Sequence, residues 1–186
     1  MKTVAWDIDD TLNDLMGAWL RSPRPGRALA FRAVTANPPH GLLGITLKSY
    51  QASLDAFRLS ERYDALPPAP QALAWFRSNG ARFRHIAVTA VPLVAAHKSA
   101  AWLFRHFGRW IRTFHVVPTP RPRPAAPRYD STKADFIRAI GGCDYFIDDS
   151  PANAEAVRAT GARCLLAPRP WNGADGDLRA ALAAVR

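Results

Sequence analysis

The sequence predicts an α/β fold: a Rossmann-like three-layer sandwich around a central parallel five-stranded sheet, with a small helical cap insertion. Three observations carry this. Five short apolar runs, "TVAWDI" (3–8), "RHIAVTA" (84–90), "RTFHVVPT" (112–119), "DYFIDDS" (144–150) and "RCLLAP" (163–168), alternate with stretches of helical period, which is the pattern of βαβ units. Three of the runs end on residues that carry chemistry: Asp7 and Asp9, Thr89, and Asp148 with Asp149. One long segment interrupts the alternation.

After the first run, "TLNDLMGAWLRS" (11–22) reads as a helix, with Leu12, Leu15, Met16, Trp19 and Leu20 on one face, and "SPRPG" breaks it. Residues 21–70 hold "TANPPHGLLG", the helical "TLKSYQASLDAFRLS" and "DALPPAPQ". They read as an irregular and helical insertion, a cap on a core domain formed by 1–20 and 71–186. An insertion of that length after a reactive strand suits a lid or a specificity segment. "APQALAWFRSNGA" is a helix closed by Asn79-Gly80, and the next helix opens at Pro92 and stops at Gly108. "PRPRPAAPR" (120–128) reads as an extended, exposed connector. "STKADFIRAIGG" is a helix capped by Ser131 or Thr132; "PANAEAVRATGA" and "DGDLRAALAAVR" are the last two helices.

At 186 residues and 48% hydrophobic content, the chain has ample material for one core. No run approaches the roughly 18–20 apolar residues of a membrane span. The reactive motif starts at Asp7, which leaves no space ahead of it for a secretory signal, so a cytoplasmic protein is expected. Cys143 and Cys164 form neither a disulfide framework nor a zinc pattern and read as small core residues. The net charge of +10 favours anionic ligands. Lys2, Lys48, Lys98 and Lys133 are the lysines; the arginines are scattered, so dedicated nucleic-acid binding is not expected. Nothing in the sequence fixes the oligomeric state.

In a parallel sheet, ligands sit beyond the carboxyl ends of the strands. Asp7 and Asp9 after the first strand would there meet Asp148 and Asp149 after the fourth. Carboxylates brought so close repel one another and favour protonation. A hard divalent cation resolves the conflict, and magnesium takes such oxygen ligands together with a substrate phosphate. With the Thr89 hydroxyl, Lys133 and backbone amides, the site suits a phosphoryl group.

The ordered motifs "DIDDT", "VTA", "TK" and "FIDDSPAN" resemble those of the haloacid dehalogenase superfamily of phosphatases. "VTAVP", "IDDSPAN" and "APRPWN" further resemble its 5'(3')-deoxyribonucleotidase-like branch. The resemblance implies a role for each matched residue. Asp7 would be the nucleophile and form an aspartyl-phosphate. Asp9 would be the general acid, then the base that activates water. Thr89, Ala90 and Lys133 would hold phosphate oxygens. Mg2+ would be the cofactor, bound by Asp7, by Asp9 through its main-chain carbonyl, by Asp148, and by Asp149 as ligand or neighbour.

Bland readings stand beside these. Asp10 reads as a helix N-terminal residue, Thr11 as a hydrogen-bonded support of its loop, and Asp149 equally as an N-cap for the helix at Pro151. The aromatic stripe at Trp102, Phe104, Phe107 and Trp110 lies near helical spacing and reads as core. His97 and His106 read as surface or boundary residues. The expected function is a magnesium-dependent phosphomonoesterase for a small phosphorylated substrate. A nucleoside monophosphate is a candidate, with Phe31, Tyr50, Phe57 and Tyr63 available to meet a base. The alternatives are a phosphatase of other small metabolites, a phosphotransferase, and a non-catalytic phospholigand-binding protein of the same fold. A signalling receiver would carry a lone phosphorylatable Asp on a middle strand, which this order does not match.

Overall fold

A computed structural model of the chain describes residues 1–119 and 129–186. The connector expected at 120–128 lies outside the described residues. The five apolar runs form one parallel sheet in the order β3-β2-β1-β4-β5, with β1 at Thr3–Trp6, β2 at Arg84–Thr89, β3 at Ile111–Val116, β4 at Tyr145–Asp148 and β5 at Arg163–Leu166. The chain proceeds outward from β1 through β2 to β3, then returns to the other side of β1 for β4 and β5. The crevice between β1 and β4 is therefore the switch point, where α/β sheets bind ligands. A main-chain bond from Asp7 N–H to the Ile147 carbonyl (2.9 Å) keeps the two strands together up to their acidic ends.

The three central strands β1, β2 and β4 are buried on both faces, and their successive side chains feed two different cores. Val4, Trp6, Ala87, Tyr145 and Ile147 join the larger core; Ala5, Ile86, Val88 and Phe146 join the smaller one. Helices α7 (Lys133–Ala139) and α8 (Pro151–Arg158) cover the smaller core with Phe136, Ile137 and Val157. Helices α5 (Pro70–Asn79), α6 (Leu93–Phe107) and α9 (Leu178–Leu182) cover the larger one with Phe76, Trp102, Phe107 and Leu182. Cys143 and Cys164 are half-buried against the smaller core. Of the aromatic stripe, Trp102 and Phe107 are buried, Trp110 packs against the larger core, and Phe104 is exposed. No helix among the described residues is long and apolar enough to cross a membrane.

A buried relay anchors the larger core. Trp6 donates its indole N–H to His85 Nδ1 (3.1 Å), so Nδ1 is the acceptor and Nε2 carries the proton toward the Gly80 carbonyl (2.9 Å). Burial holds the His85 pKa below its usual value, which keeps the ring in this neutral tautomer.

Between β1 and α5 the chain forms α1 (Leu15–Leu20), α2 (His40–Leu43), α3 (Leu47–Arg58) and α4 (Glu61–Asp64). Helix α1 starts four residues later than the sequence predicts. Asp10 takes a left-handed φ of 59°, and the N–H groups of Thr11, Leu12 and Asn13 all turn back to the Ile8 carbonyl, which excludes a helix there. Segment 21–70 is not a detached lobe: Leu43, Tyr50, Leu54, Phe57 and Tyr63 belong to the larger core.

Gly80 sits so close to Trp110 that a Cβ would fall 2.6 Å from the indole Cδ1. Gly80→Ala is therefore expected to destabilise the fold by about 1–3 kcal/mol through overpacking. Urea unfolding checks this; an unchanged midpoint contradicts it.

Candidate functional site

The sheet delivers Asp7 and Asp9 from the end of β1, Thr89 from the end of β2 and Asp148 from the end of β4. Asp7, Asp148 and Asp149 each place a carboxylate oxygen within 4.8 Å of the others, and all three residues are buried. Lys133 opens α7 beneath them, and its Nζ lies 2.7 Å from both Asp7 Oδ1 and Asp148 Oδ2. Lys133 is 3% exposed, so it is not a solvated helix residue. Thr132 caps α7 with a capping box to Asp135, and this fixes where the lysine starts its climb. Asp148 is further held by the N–H of Ser150 (2.8 Å) and by Asn153 Nδ2 (3.2 and 3.3 Å to its two oxygens).

The electrostatics follow from three carboxylates around one ammonium. Burial pushes the Asp7 carboxyl well above its usual pKa, Lys133 opposes this, and Asp148 and Asp149 add to it. Burial, then Asp148 and Asp10, raise Asp149 to about 7. Burial acts against the Lys133 charge, but Asp148 and Asp7 outweigh it and hold the ammonium above its ordinary value. The donor set is all hard oxygen with more negative charge than Lys133 balances, which fits a divalent cation of the magnesium type.

Asp9 goes elsewhere. Its carboxylate stands outside the three-acid group and is gripped from segment 21–70: Arg58 places Nε at 3.1 Å and Nη2 at 3.0 Å from Oδ2, and the Tyr63 hydroxyl lies 3.0 Å from Oδ1. Asn13 Nδ2 adds a bond to Oδ1 (3.2 Å). These groups border a cavity of about 190 Å3 lined by Asp7, Asp9, Arg58, Thr89, Ala90 and Lys133, together with Tyr50 and Asn37. Asp148 is fully buried and does not line it.

Three local expectations are corrected. Thr11 does not support its loop by hydrogen bonding: its buried hydroxyl has no partner among the described residues, and Asn13 Oδ1 does that work by accepting from the N–H groups of Asp10 and Leu15. Asp10 is a loop residue whose Oδ1 caps α1 from a distance, through the Met16 N–H (2.9 Å). The cap of α8 is Ser150, which accepts from Asn153 N–H, whereas the Asp149 carboxylate accepts from the Trp171 indole. Sequence reasoning also missed Arg58, Asn13, Asn153 and Trp171. Asn153 and Trp171 stood within quoted motifs without a role, and Arg58 carried no signal among so many arginines.

No protein-family model matches the chain, and no curated protein matches it in sequence. Its fold is similar to that of a HAD-superfamily hydrolase, subfamily IA, variant 1, from Geobacter sulfurreducens. The TM-score is 0.58 at 12% identity, with 100% of each chain covered. It is also similar to a haloacid dehalogenase-like family hydrolase from Streptococcus pneumoniae, with a TM-score of 0.55 at 15% identity over 89% of this chain and 84% of that one. At these identities the likeness is one of fold, and the fold is haloacid dehalogenase-like.

The raised carboxyl pKa values have a measurable consequence. Asp149, at about 7 against an ordinary 3.8, keeps a proton in the folded state that the unfolded chain gives up. Stability from this group is present at low pH and is lost as pH rises through that window. Without divalent cations the melting temperature is expected to fall between about pH 5 and about pH 8, and added Mg2+ to raise it more at the higher pH, where no proton competes. Equal Mg2+ shifts at both pH values would contradict this.

Proposed function

We propose that this chain is a magnesium-dependent phosphomonoester hydrolase of the haloacid dehalogenase superfamily, working in the cytoplasm through an aspartyl-phosphate on Asp7. The observation that carries the reading is the buried convergence of Asp7, Asp148 and Asp149 around Lys133, beside a cavity that Asp7, Asp149, Lys133, Thr89 and Ala90 line. Bound by Asp7, Asp148 and Asp149, with the Asp9 carbonyl as the remaining expected ligand, Mg2+ would neutralise phosphoryl charge.

The chain's own groups account for the rest. A carboxylate oxygen of Asp7 attacks phosphorus as the bond to the leaving oxygen breaks, giving an acyl phosphate. Asp9 supplies the proton that the leaving alkoxide needs, then takes one from the water that hydrolyses the acyl phosphate. Thr89, the Ala90 backbone and the Lys133 ammonium hold the phosphoryl oxygens and complement the charge that spreads over them. Arg58, Tyr63 and Asn13 fix the Asp9 carboxylate at the cavity edge.

The cavity favours a compact substrate. About 190 Å3 lies below the roughly 300 Å3 at which drug-sized pockets begin. A nucleoside monophosphate is the second reading. Tyr50 supports it by lining the cavity, whereas Phe57 packs into the core, Tyr63 turns to Asp9 and Phe31 meets Trp171. A purely phospholigand-binding protein has less support, since Asp7, Asp9 and Lys133 are all present.

Phosphate release from a panel of short-chain phosphate esters, sugar phosphates and 5'- and 3'-(deoxy)nucleoside monophosphates tests this. Release is expected with Mg2+, is expected to stop with EDTA and in Asp7→Asn, and should be fastest for the short esters. Release that survives Asp7→Asn removes Asp7 as nucleophile, and a preference for nucleotides reverses the order of the two substrate readings.

A further inference from the structure

Residues 167–172, the loop after β5, are tied to the site by a set of hydrogen bonds that the proposed chemistry does not use. Arg169 donates from Nε to the Asp10 carbonyl (2.7 Å) and from Nη2 to the Asn13 carbonyl (3.0 Å), so the loop is pinned to the turn after β1. Asn172 uses both ends of its amide. Nδ2 donates to the carbonyls of Asp149 and Ala167 (both 2.8 Å), and Oδ1 accepts from the N–H groups of Arg169 and Ala174 (both 3.1 Å). Held between these two, Trp171 donates its indole N–H to Asp149 Oδ2 at 2.9 Å. Phe31 of segment 21–70 packs against the ring in a T-shaped arrangement, with centroids 5.8 Å apart and planes at 81°.

We propose that Trp171 is a positioning residue for the divalent-cation site: its indole N–H takes one oxygen of Asp149, leaving the carboxylate to present the other toward Asp7 and Asp148. The inference rests on the cation-binding reading given above. An indole can only donate, so it cannot compete with the carboxylate for a metal. Its ring is rigid, and here both the loop and Phe31 restrict it. A donor to a carboxylate makes a short, charge-assisted bond that fixes direction as well as distance. Groups that orient metal ligands in this way are worth about 10–100-fold in metal affinity. Asp149 has no other restraint of this kind on its side chain among the hydrogen bonds described, whereas Asp148 is oriented by Lys133, Ser150 and Asn153.

The test is direct Mn2+ binding to the intact chain, read by the electron paramagnetic resonance of the free ion; Mn2+ shares the oxygen preference of Mg2+. Trp171→Phe keeps an aromatic ring against Phe31 and removes the N–H. It is expected to weaken Mn2+ binding about 10–100-fold. In an Asp149→Asn background the same change is expected to add little, because the residue through which Trp171 acts has been altered. Circular dichroism confirms that each variant is folded. Mn2+ affinity of Trp171→Phe within about twofold of wild type, or an undiminished loss in the Asp149→Asn background, overturns the positioning role while leaving the cation site intact. A wild-type chain that takes up no Mn2+ overturns the cation site and the role of Trp171 with it.

Discussion

The contact on which the site depends is the Lys133 ammonium, held 2.7 Å from Asp7 and 2.7 Å from Asp148, with all three residues buried. A lone ionised carboxylate in such a place is costly, and removing one partner of a buried pair costs about 3–5 kcal/mol. Lys133 makes it possible to bury Asp7 and Asp148 at all. It does not complete the compensation, because Asp149 joins the same group as a third carboxyl, its pKa raised to about 7 by burial and by Asp148. The folded chain is left with a site that is short of positive charge, and the sheet, helix α7 and the loop after β5 all converge to keep it so. A divalent cation, as proposed above, would make up that shortage.

Asp7 and Asp9 are separated by one residue and have opposite surroundings. Asp7 faces inward to the ammonium and the other acids, whereas Asp9 faces segment 21–70 and its guanidinium, phenol and amide donors. Two neighbouring carboxylates assigned different tasks need that kind of separation.

Much of this was legible in the residues. The alternation of apolar runs and helical periods located every strand to within a few positions, and the acids at the strand ends marked the edge of the sheet where the carboxylates converge, because a buried parallel strand has few reasons to end in paired aspartates. Lys133 could be read from its place between the third and fourth strands. What could not be read were contacts set by tertiary geometry. Arg58 reaches Asp9 across 49 positions, and Trp171 reaches Asp149 across 22, without a local pattern announcing either. The start of α1 was misplaced for a related reason: the apolar spacing of 11–22 suits a helix, but the Ile8 carbonyl collects three N–H groups and Asp10 leaves the helical region, a local choice that periodicity does not register.

The grip of Arg58 and Tyr63 on Asp9 also limits how this chain can diversify. Segment 21–70 lines the cavity through Asn37, Tyr50 and Leu54, of which Tyr50 and Leu54 also pack in the larger core. The same segment, however, supplies two of the groups that hold a residue of the sheet edge. Exchanging the whole segment for another would alter selectivity and strip Asp9 of its support in one step. Drift in this protein is thereby channelled into point changes along the cavity wall, with α3 and α4 retained as a unit inherited together with the strand they serve.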